Sequence, residues 1–109
     1  MIRMFAYKFE SALGLEEMLA RLNEAGPWPW YDRDSDSLGY YISGAALRAP
    51  HRGIVKIVVE YDQFVVNALL ESSEPDAKAV IENAERELMD RVLPSIGARK
   101  LVGTDTFDR

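Results

Sequence analysis

The sequence predicts an α+β two-layer sandwich, with two helices on one face of a mostly antiparallel sheet. Three observations carry this. Residues 15–25 and 77–92 each repeat apolar side chains at helical spacing. Residues 54–61 and 64–70 are apolar, β-branched runs separated by two residues, the pattern of a hairpin. The elements follow one another in the order β-α-β-β-β-α-β, and helices interleaved with strands in this way pack on the sheet that the strands form.

Ile2 to Phe9 reads as the first strand. Phe5, Tyr7 and Phe9 point one way and Ile2, Met4 and Ala6 the other; both sets are apolar, which places the strand inside the sheet. Leu15, Met18, Leu19, Leu22 and Ala25 mark the first helix. Gly14 serves as its N-cap, Glu16 and Glu17 face the positive end of the helix dipole, and Leu13 and Met18 are spaced as a hydrophobic staple. Gly26 suits the left-handed residue after the helix, and Pro27 stops it. Residues 27–37 read as a connection, because each proline pushes its predecessor to extended backbone. Leu38–Ser43 reads as a short strand, and Gly44 to Gly53 as a second connection.

In the hairpin, Asp62 and Gln63 are expected to form the turn, with Tyr61 opposite Phe64. One face then carries Val55, Ile57, Val59, Tyr61, Phe64, Val66, Ala68 and Leu70 and is core; the other is mixed, with Val58, Val65 and Leu69 among Lys56, Glu60 and Asn67. Ser73 and Asp76 give a capping-box start to the second helix, with Pro75 in its first turn. Ala77, Val80, Ile81, Ala84, Leu88 and Val92 form its apolar stripe, and Pro94 ends or kinks it. Ala98–Val102 reads as the last strand and residues 103–109 as a loosely held polar tail of a single domain, 1–109. Strand–helix–strand units cross over with one hand, so both helices fall on the same face. The topology resembles a ferredoxin-like sandwich with one additional strand, a likeness that implies no function.

With 109 residues the chain can hold a core without staples, and it contains no cysteine, which excludes disulfides, thiolate nucleophiles and thiolate zinc sites. No leader-like N-terminus and no apolar run of roughly 18 residues are present, so the expectation is a soluble, cytoplasmic protein. A net charge of −5 argues against nucleic acid and anionic membrane as partners.

No motif names a reaction, and none calls for a cofactor. The expected function is that of a small non-catalytic interaction or ligand-binding domain, whose partner is a second copy or another protein. Val58, Val65 and Leu69 offer the seed of a dimer contact. The alternative is a small enzyme or anion-binding protein. Arg48, His51 and Arg52 are expected near both helix N-termini, where free N–H groups attract anions. His51, the single histidine, is a candidate general base with Glu10 or Glu71 to orient it. Asp32, Asp34 and Asp36 open like a calcium loop, but Ser37 and Ser43 stand where the turn glycine and the bidentate glutamate belong, so no metal site is expected. Trp28, Trp30, Tyr31 and Tyr40 either line a ligand pocket or anchor a partner, or else close the end of the core.

Overall fold

The computed structural model describes residues 1–108, with side chains through residue 104. The chain runs β1 (Ile2–Glu10), α1 (Leu15–Ala25), β2 (Trp30–Ser35), β3 (Gly39–Leu47), β4 (Arg52–Glu60), β5 (Gln63–Glu71), α2 (Ala77–Glu87), a π-helical turn (Leu88–Val92), α3 (Leu93–Ser95) and β6 (Arg99–Asp108). All neighbouring strands are antiparallel, in the order β2-β3-β4-β5-β1-β6. This is the expected α+β class, with β1 interior. It is not a simple ferredoxin-like order, because β2 and β3 extend the sheet beyond β4.

Both helices lie on one face. Leu15, Met18 and Leu22 from α1 and Ile81 and Ala84 from α2 share a single cluster with Phe5, Phe9, Val55, Ile57, Val66, Ala68 and Leu70 of the sheet. Each of the larger side chains contributes roughly 1.5–3 kcal/mol on burial, before the entropy of ordering it. Gly14 caps α1 as expected; Gly26 follows it at positive φ, 69°, but its ψ of −168° lies outside the left-handed helical region expected of it, in a conformation that only glycine adopts readily. Pro94 does not break the second helix. The Leu93 N–H donates to the Leu88 carbonyl five residues back, and this widened turn makes room for the proline ring.

Four local expectations shift. The connection 27–37 contains a strand: Trp30 pairs with Gly44, and Ser35 with Gly39, which makes the turn at φ 70°. Its charged middle, Asp32-Arg33-Asp34, suits an edge strand, where charge discourages pairing with other chains. The hairpin turn falls on Tyr61–Asp62, with Glu60 opposite Gln63 and Tyr61 taking φ 58°. That moves the pairing by two residues, so the strand side chains keep their expected faces, but Tyr61, expected in the core, stands in the turn 95% exposed, and Val59 beside it is half exposed. The expected capping box of α2 does not form; Asp76 occupies the cap position without a side-chain hydrogen bond. β6 continues to Asp108 along β1, past the point where a tail was expected.

The missed strand has a larger consequence. With three strands between the helices, both helices would start at one end of the sheet. With four, β5 runs opposite to β1, and Ile2 lies beside Glu71. The helices therefore start at opposite ends, and the Arg48–Arg52 loop lies at the start of α2 only.

Candidate functional site

At the start of α2, the β3–β4 loop meets the β5–α2 elbow. Ser72 is 3% exposed, the one fully buried polar side chain among the described residues. Its Oγ accepts the Glu74 N–H at 3.2 Å and lies 2.6 Å from His51 Nδ1. On the far side of the imidazole, Nε2 is 3.9 Å from Asp76 Oδ1. Serine, histidine and aspartate are thus in sequence, but the hydroxyl has no open approach for a substrate carbonyl and is held by a backbone amide. The arrangement pins the loop to the elbow. Arg52 reaches Glu71, its ladder partner, at 4.0 Å, and exposed Arg48 accepts the His51 N–H on its carbonyl. Of the two orienting partners expected for His51, Glu71 is engaged by Arg52 and Glu10 lies at the other end of the sheet, bound to Lys100 at 3.3 Å.

The aromatic residues separate. Trp28 and Trp30 are buried in the core cluster and fill the space between α1 and the sheet. The Trp30 indole lies against Gly44 so closely that a Cβ there would come within 2.6 Å of the ring. Its Nε1 has no hydrogen-bond partner. Asn23 of α1 grips the Trp30 backbone at both polar groups, accepting its N–H at 2.8 Å and donating to its carbonyl at 3.0 Å. Tyr40 is half-buried on the helix side. Burial, then the carboxylates of Asp32 and Glu16, raises its phenol above the ordinary tyrosine value. Tyr31 stands exposed on the other face of the sheet. Asp32 and Asp34 sit in β2 and Asp36 in the following turn, so the three do not form a loop; among the described residues no three acidic or histidine side chains group as metal ligands.

The opposite face of the sheet carries no helix among the described residues. The register places there Tyr31 and Arg33 of β2, Tyr41, Ser43 and Ala45 of β3, Ile54, Lys56 and Val58 of β4, Val65, Asn67 and Leu69 of β5, and Met4 and Lys8 of β1. Val58 and Val65, opposite each other on the two middle strands and next to the hairpin end, are only 9% and 6% exposed. Met4, Tyr31 and Val102 on the same face are open to solvent. The cations lean on aromatic rings, Arg33 over Tyr31 at 5.7 Å and Lys56 over Tyr41 at 5.5 Å. Sequence reading found the β4–β5 part of this surface from alternation, but not the β2–β3 part, because β2 was hidden. Ser72 and Asn23 carried no signal in the sequence; each is one polar residue whose role depends on a distant partner.

The chain matches no protein-family model, and comparison with curated proteins finds no similar chain.

Proposed function

We propose that the protein is a small non-catalytic interaction domain whose contact surface is the open face of the sheet. One observation supports this most: a six-stranded sheet has one face packed by helices, while the other carries a valine pair, Val58 and Val65, beside Tyr41, with Ile54, Leu69 and Met4 grouped beyond Lys56 and Asn67. Apolar side chains on a sheet face that no helix covers commonly mark an interaction site. The end of the sheet at α2 supports catalysis less, because His51 and Arg52 are already held by Ser72 and Glu71.

The test is a photoreactive amino acid placed at Asn67, exposed on the open face, or at Asn83, exposed on α2. Irradiation of living cells expressing the protein is expected to give adducts of defined mass from position 67 and none from 83. Adducts from 83 alone, or from neither, contradict the proposal.

A further inference from the structure

The open face is self-complementary, and we infer that its partner is a second copy of the chain, related by a two-fold axis parallel to the strands and midway between β4 and β5. This rests on reading that face as the contact surface, and it follows from the register. Such an axis lays β4 of one copy over β5 of the other, so each β4 residue faces its own ladder partner on the second copy. Val58 then faces Val65, and Ile54 faces Leu69, giving an apolar centre.

The charges agree with this placement. Arg52 faces Glu71, and Lys56 faces Asn67 rather than another cation. Lys56 leans outward over Tyr41 of β3, away from the axis. The same axis lays β3 over β1. Met4 then meets the small Ala45, and Lys8 meets the second copy's Tyr41. The two-fold thus sets Glu71 against Arg52 and opposes no like charges along the facing β4–β5 positions, while Lys56 meets a neutral amide.

The area is also sufficient. Six strands of six to ten residues, about 4.8 Å apart and rising about 3.3 Å per residue, span a face of about 820 Å². A standard interface takes about 800 Å² from each partner. Two such sheets stack as in a β-sandwich, with their strands aligned to within about 30°.

Two measurements on the full chain test the inference. In sedimentation equilibrium the wild type is expected to run as a dimer. Asn67→Arg, which sets a second cation against Lys56 of the other copy, is expected to weaken the dimer at least tenfold, and Asn67→Asp to tighten it. Because the chain has no cysteine, single substitutions give unambiguous cross-links. A bismaleimide spanning roughly the 10 Å sheet-to-sheet spacing is expected to join Asn67→Cys chains, which lie one strand spacing apart across the axis. It is expected not to join Ser35→Cys chains on β2, about 24 Å apart across the same axis. A wild-type monomer up to hundreds of micromolar overturns the second copy; adducts of another mass at position 67 would then leave the open face as the contact surface. A dimer indifferent to both Asn67 variants overturns the contact surface as well. A dimer cross-linked at 35 and not at 67 overturns the axis.

Discussion

Gly44→Ala is the substitution whose cost follows most directly from the coordinates. Gly44 lies opposite Trp30, and an added Cβ would sit 2.6–2.8 Å from three atoms of the indole. Ordinary carbon–carbon contact is about 3.5–4.0 Å, so roughly 1 Å of space must be opened. The ring has nowhere to go: Trp30 is 2% exposed, and Asn23 holds its backbone on both sides. Overpacking costs about 1–3 kcal/mol, here the upper end because three atoms of a ring that cannot move are met at once, and removing a glycine from a strand returns about 0.5–1 kcal/mol. The expected net loss is about 2 kcal/mol, read as a lower midpoint in urea at unchanged slope. Gly103→Ala is the control, because its Cβ would meet the Tyr7 ring at an ordinary 3.5 Å; it is expected to be neutral or slightly stabilising. In a Trp30→Leu background the Gly44→Ala loss is expected to fall below about 1 kcal/mol, the sign of direct coupling. A Gly44→Ala protein within about 0.5 kcal/mol of wild type, or a loss that persists without Trp30, would refute the packing described here.

Three further outcomes are expected. Asn23→Ala removes two hydrogen bonds that fix the edge strand to α1, and is expected to cost about 2 kcal/mol by chemical denaturation, with faster amide exchange in β2 than in β5. Tyr61→Gly is expected to stabilise by about 0.5–1 kcal/mol, since Tyr61 is 95% exposed at φ 58° and loses a strained backbone with little packing; a loss of stability would contradict the turn. Tyr40 binds its proton more tightly folded than unfolded, so stability is expected to hold below about pH 10 and to fall as pH rises through the raised Tyr40 value. Phenolate absorbance should show a late-ionising tyrosine; Tyr40→Phe should remove it, and Asp32→Asn should bring it earlier.

The parts of the fold legible in the sequence are those where burial imposes a period. The stripes from Leu15 to Leu22 and from Ala77 to Val92 meet one core, and the alternation of β4 and β5 survives even a misplaced turn, because a shift of two residues does not exchange faces. β2 was not legible because an edge strand needs no apolar alternation, and the prolines just before it, with its own aspartates, read as a loop. That omission changed the parity of the strands, and with it the end of the sheet at which α2 starts. His51 still lies beside α2, but the second helix N-terminus expected near it is at the far end. Gly44 read as the start of a connection and is a mid-strand residue under an indole, a role set by Trp30 fourteen residues earlier. The open face was legible only as the mixed side of a hairpin; its extent depends on β1 and β3 arriving beside it.

The contact surface itself is best probed by methyl NMR with a neutral, soluble paramagnetic agent over a range of protein concentrations. Val58, Val65 and Leu69 methyl signals are expected to become protected as concentration rises while those of Val80 on α2 stay as they are. Broadening of all these methyls that is the same at every concentration, or protection that appears on α2 instead, would contradict an open sheet face that closes on a second copy.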